Sequence, residues 1–208
     1  MSLPIHITHY FEAEYGPFLN ICDLDDDGVT KLIESEKNSK TAFNRFAMGN
    51  DFLKWRRSAD ELLIRAYTEK FGFKPKHRPY FAVLGNFDKT LTMFREGRSL
   101  SIDVSEFTED EITFMYPDHA HLTKHYGADV PHLFYQPHHL PGQIFWGQLY
   151  TYRELLAEYE SSRIAEFIAK HIEKDGWAGC YVEAHIWCRD ERTTLSEQGG
   201  DAKTDQQI

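Results

Sequence analysis

The nonapeptide Cys180-Tyr-Val-Glu-Ala-His-Ile-Trp-Cys188 shows the clearest strand period in the chain. Alternation sorts it into two unlike faces: Cys180, Val182, Ala184, Ile186 and Cys188 on one, and Tyr181, Glu183, His185 and Trp187 on the other. The first set is small and branched, suited to packing under a helix, which makes both cysteines structural thiols. On the second face a carboxylate and an imidazole two residues apart project in parallel, about 6.5 to 7 Å from each other, between aromatic walls. That pairing can serve as a general acid and base, or as half a metal site, with Tyr181 and Trp187 contacting a ligand. The same alternation also suits an ordinary sheet face, covered or open.

Working outward, Ile112, Phe114 and Tyr116 alternate with Thr113 and Met115, and Leu100, Ile102 and Val104 alternate with Ser101, Asp103 and Ser105, so both segments read as half-buried strands. Pro79 to Gly85 is an apolar run of strand length, Ile5 to Phe11 a short strand, and 133–135 and 144–146 are weaker strand candidates. Helical spacing is strongest from Asp51 to Phe71, where Phe52, Trp55, Ala59, Leu62, Leu63 and Ala66 form a stripe that stops at Gly72. Arg56, Arg57, Asp60 and Glu61 are assigned to its solvated side. A second helix with an acidic first turn runs from Asp25 to Ser35. Thr151 and Glu154 make a capping box before a third, and Ile164, Phe167, Ile168 and Ile172 continue the period after a break near Ser161-Ser162. Helices bunched early and late around short strands predict a single α+β domain over 1–189 with a mainly antiparallel sheet, and a polar tail over 190–208.

The 208 residues, 41% hydrophobic, suffice for a sizeable core. A formal charge of −10 argues against a nucleic-acid backbone as partner, since that role needs a basic stripe. No apolar run reaches membrane-spanning length, and the opening residues lack a signal-peptide pattern, so a soluble, cytoplasmic protein is expected, with its oligomeric state left open. Three cysteines without a CxxC pair indicate neither a disulfide framework nor a zinc ribbon. GxxxxGK[ST], GxGxxG and GxSxG are all missing, which removes the usual nucleotide cradles and the nucleophile elbow.

Two further constellations bear on chemistry. Tyr116-Pro-Asp118-His119-Ala-His121 opens a stretch holding six of the eleven histidines, and His119 and His121 on an extended segment would share a face able to ligate zinc, iron or manganese. Asp23-Leu-Asp25-Asp-Asp27-Gly28, with Glu34 six residues after the glycine, satisfies the calcium-loop pattern, Asp23, Asp25 and Asp27 being the first ligands and Glu34 the closing one. An acidic helix start accounts for the same letters.

Pro79-Tyr-Phe-Ala-Val-Leu-Gly85, Ile102-Asp-Val-Ser-Glu-Phe107, Thr113-Phe-Met-Tyr-Pro-Asp118, Gly147 to Glu154 and Tyr181 to Trp187 resemble a bacterial family of uncharacterised proteins with motifs in the style of PYFVLG, IPLSEF, SFTYPDS, GxVYTLEEL and YIExQxWD. The resemblance spans most of the chain and implies a single domain without naming a reaction. The chain departs from it at His119, where the pattern has serine, and at His185, where it has glutamine. A fainter similarity of layout is to ADP-ribosyltransferases, in which a histidine, a tyrosine and a glutamate lie on an early, a middle and a late strand. His9, Tyr80 and Glu183 occur in that order, and the likeness implies Tyr80 stacking on nicotinamide and Glu183 orienting a ribose hydroxyl.

The expectation is an enzyme acting on a small polar or nucleotide-like molecule in a cleft lined by Tyr116, Asp118, Glu183, His185 and Trp187, with Glu183 as acid or base. The alternatives are a non-catalytic binding or interaction protein using that face for docking, and a calcium loop at 23–34.

Overall fold

The computed structural model describes residues 2–42, 44–119, 145, 147–174 and 179–193. Five strands, β1 (His6–Glu12), β2 (Tyr80–Leu84), β3 (Gly97–Asp103), β4 (Ile112–Met115) and β5 (Glu183–Ile186), form one sheet in the order β3-β1-β2-β5-β4, every neighbouring pair antiparallel. The α+β architecture with an antiparallel sheet is therefore established.

Helix α1 (Asp26–Glu36) starts where the Asp25 carboxylate accepts a hydrogen bond from the Gly28 N–H. Helix α2 (Asn50–Phe71) ends at Gly72, whose φ of +78° is open to glycine at little cost. The reciprocal capping box of Thr151 and Glu154 opens α3 (Tyr152–Ser161), and a left-handed residue, Arg163 at φ +59°, separates it from α4 (Ile164–Glu173). One sheet face packs Ala82, Phe114, Ala184 and Ile186 against Leu155, Tyr159 and Ile164 of α3 and α4. On the other face Met115 and Trp187 meet Leu63, Ala66 and Tyr67 of α2.

Because helices cover both faces, β4 and β5 are buried along their whole length rather than half-buried. The closing strand is shorter than the nonapeptide: only Glu183–Ile186 pairs regularly, although the two faces sort as the alternation predicts. Asp60 corrects the reading of α2, since it is fully buried instead of solvated. The row Leu53–Asp60–Tyr67, at seven-residue spacing, turns inward with the apolar stripe, and both flanking members are buried. The strand candidates at 133–135 and 144–146, Phe145 excepted, and the tail from 194 lie outside the described residues. Among the described residues no helix is long and apolar enough to cross a membrane.

Candidate metal centre

The chain leaving β4 passes a cis peptide at Tyr116–Pro117 and turns over the start of β5, where the Glu183 N–H donates to the Pro117 carbonyl at 3.2 Å. This brings His119 onto the Glu183 side chain. Glu183 Oε2 accepts from the His119 backbone N–H at 2.8 Å, lies 2.8 Å from His119 Nδ1, and lies 3.0 Å from His185 Nε2. One ligand atom each from His119, Glu183 and His185 falls within 4.8 Å of the others. Atoms that share an ion at about 2.0 to 2.2 Å must sit some 3 Å apart, so the cluster has the dimensions of a coordination shell.

Each imidazole has a polar neighbour on its far side, hydrogen-bonded only at His185. His185 Nδ1 is 3.2 Å from Thr113 Oγ1, which also accepts from Trp187 Nε1 at 2.9 Å. His119 Nε2 faces Asp60 Oδ1 at 3.9 Å. Such outer partners orient histidine ligands and raise their basicity. Asp60 is held by Asn20 Nδ2 at 3.2 Å, which also donates to the Pro79 carbonyl, and by Arg56 Nε at 3.1 Å and Arg78 at 3.8 Å as ion pairs too misaligned to be hydrogen bonds. The Phe81 ring closes the cluster, 4.8 Å from the His119 ring and 5.8 Å from that of His185, with the Arg56 guanidinium 3.9 Å above it.

The electrostatics favour an anionic carboxylate beside a neutral His185 ring. Burial opposes charge on Glu183, but the adjacent His119, its hydrogen bond and His185 outweigh burial and hold the carboxyl well below its ordinary range. Burial lowers His185, and hydrogen bonding to Glu183 only partly resists this. Both leave the groups in the protonation states that ligate metal.

The structure unites Glu183, His185, Trp187 and His119, and separates the remaining candidates. Tyr116 is buried on the opposite face, its hydroxyl donating to the Gly179 carbonyl, so it does not line a cleft with Glu183. Asp118 is half-buried beside the turn, and the Tyr181 ring lies tilted against Phe87 at 5.4 Å. Tyr80 pairs with Ile186 and so faces away from Glu183, with the Arg189 guanidinium 3.4 Å over its ring. His9 is buried elsewhere, donating from Nδ1 to the Phe81 carbonyl and accepting from the Phe18 N–H at Nε2. His121 lies outside the described residues.

The calcium reading is corrected by α1. Its residues are helical from Asp26, which places Glu34 about 12 Å of helix rise along the axis, where it pairs with Lys37 at 2.5 Å. Asp25 serves as cap, Asp27 lies in the first turn, and Asp23 pairs with Arg189 at 3.1 Å. These carboxylates do not converge. A second cluster, Glu111, Cys188 and Asp190, is already neutralised by Arg192, and burial pushes the Cys188 thiol up to about 11.

The expected open cleft is replaced by a closed centre, because α2 lies over the Glu183 face. The sequence reading also missed Asp60, Thr113 and Arg56. Thr113 is the cross-strand partner of His185, a relationship set by register rather than by any local motif. No family model matches the chain, and no curated protein and no solved structure matches it.

Proposed function

We propose that the protein binds metal, with His119, Glu183 and His185 holding one divalent transition ion in a closed centre. The observation that carries this is the convergence of two imidazoles and a carboxylate on one point, with the outward nitrogen of His185 hydrogen-bonded to Thr113 and that of His119 facing Asp60 at 3.9 Å. Three protein ligands leave a coordination position that a buried water could fill. An ion there would supply Lewis acidity and lower the pKa of bound water. Glu183 thus acts as a ligand, in place of the free acid or base expected from the strand.

One observation favours a second reading, a metal-free structural core. Trp187 Nε1 can only donate, so Thr113 can accept from it and donate to His185 Nδ1, leaving His185 Nε2–H to donate to Glu183. That relay is complete without an ion.

Titration of chelator-treated protein with Zn²⁺, Mn²⁺ or anaerobic Fe²⁺ separates the two. The metal reading expects about one bound equivalent and, at a hundredfold excess over Kd, stabilisation of about 2.7 kcal/mol, or a Tm rise of about 5 to 10 °C for a chain of this length. A flat Tm with all three ions at millimolar concentration establishes the metal-free core.

A further inference from the structure

A cavity of about 180 Å³ lies between β1, α1 and the first turns of α2, on the far side of Phe81 from the triad. Phe46, Phe52, Phe81 and Phe94 supply apolar wall, and Arg56 is the sole arginine or lysine among the described residues that line it, beside the His9 imidazole. We propose that this cavity binds a small organic carboxylate with an apolar ring or chain, gripped by the Arg56 guanidinium.

Arg56 is committed on one edge only. Its Nε is spent on Asp60 at 3.1 Å, and its plane rests on the Phe81 ring at 3.9 Å. Its terminal nitrogens make no hydrogen bond among the described residues and are not among the sealed, unsatisfied atoms, so they reach accessible space. A guanidinium held flat on an aromatic ring offers a planar fork, and a carboxylate is the planar acceptor that matches it with two parallel bonds. The side chain is four-fifths buried, so the pair would form in partly dry surroundings where charged hydrogen bonds are strong.

The two acidic wall residues do not compete for the guanidinium. Glu12 accepts from the backbone N–H groups of Arg95 and Glu96 at 2.8 and 3.0 Å. Glu36 accepts from Tyr15 at 2.9 Å and from Ser39 at 2.6 Å, and pairs with Arg95 at 2.7 Å. Both are tied into the β1–α1 junction, where the Arg95 guanidinium is shared among Glu12, Glu14 and Glu36. The volume is comparable to apolar cavities of about 150 Å³ that admit a benzene ring, which sets the ligand at roughly the size of benzoate.

Calorimetric titration with benzoate, benzamide and benzylamine tests the proposal. Benzoate should bind saturably and at least about tenfold more tightly than its neutral isostere benzamide, the ratio expected of charged hydrogen bonds, while benzylamine should not bind. Arg56→Gln should erase the preference, and Met93→Trp, which fills the cavity from another lining position, should abolish binding of both. Equal affinity for benzoate and benzamide, or no saturable binding of benzoate by the wild-type protein, overturns the proposal without recourse to a variant. Binding should persist after chelator treatment. Benzoate binding that requires an added ion would place the ligand on the metal instead and sink this site, so the cavity and the triad stand or fall separately.

Discussion

Asp60 Oδ1 lies 3.9 Å from His119 Nε2, and both atoms are buried without a hydrogen bond. A carboxylate in the middle of a helix thereby faces a histidine in the turn after an edge strand, 59 positions later. At that distance the two groups are polar neighbours without a hydrogen bond.

Asp60→Asn is expected to weaken metal binding by about 10- to 100-fold without abolishing it, as loss of an outer partner does elsewhere. Competition against a chromophoric chelator reads the affinity. An unchanged affinity would detach Asp60 from the centre and leave it as an ion-pair partner of Arg56 and Arg78 alone.

Glu183→Gln should destabilise the metal-free protein by about 3 kcal/mol, because three donors converge on Oε2 and an amide cannot accept from all of them as a carboxylate does. Urea denaturation in chelator measures this. A loss below about 1 kcal/mol would show that the donors find other partners.

His9 makes stability depend on pH. Its Nε2 accepts the Phe18 N–H, and burial lowers its pKa from 6.5 to about 4 against the opposing hydrogen bond to Phe81. Between those values the unfolded chain binds a proton that the folded chain excludes, so the contribution is complete above pH 6.5 and is lost as pH falls towards 4. The loss amounts to about 3 kcal/mol. His9→Gln, which keeps one donor and one acceptor, should flatten this part of the urea-midpoint profile; identical wild-type and variant profiles would assign the acid sensitivity to other groups.

Gly85→Ala is expected to cost about 2 kcal/mol. Gly85 sits at φ +71°, donates its N–H to the His6 carbonyl, and leaves only 2.9 Å between an added Cβ and Pro4 Cγ. Thermal unfolding checks it, with Thr151→Ala as a calibrating variant expected to lose about 1 kcal/mol through the α3 capping box.

Much of the fold was legible because local rules and tertiary packing agree. Period-two alternation located β4 and β5, the stripe ending at Gly72 located α2, and Thr151 with Glu154 located the start of α3. The site was legible only in part. Alternation alone puts Glu183, His185 and Trp187 on one face, and a histidine-rich turn flags His119, but no local pattern says that the turn folds back onto that face. Tyr116 shows the limit from the other side: adjacent in sequence to the site, it is carried by the same alternation into the opposite core.

Which residues share a face of a strand is a property of a few neighbours, and for β4 and β5 the sequence by itself determined it. Which elements meet is decided by sheet order and by burial of whole faces. Only the tertiary structure therefore put Thr113 beside His185, turned Asp60 inward against His119, and left Arg56 between a closed triad and an open cavity.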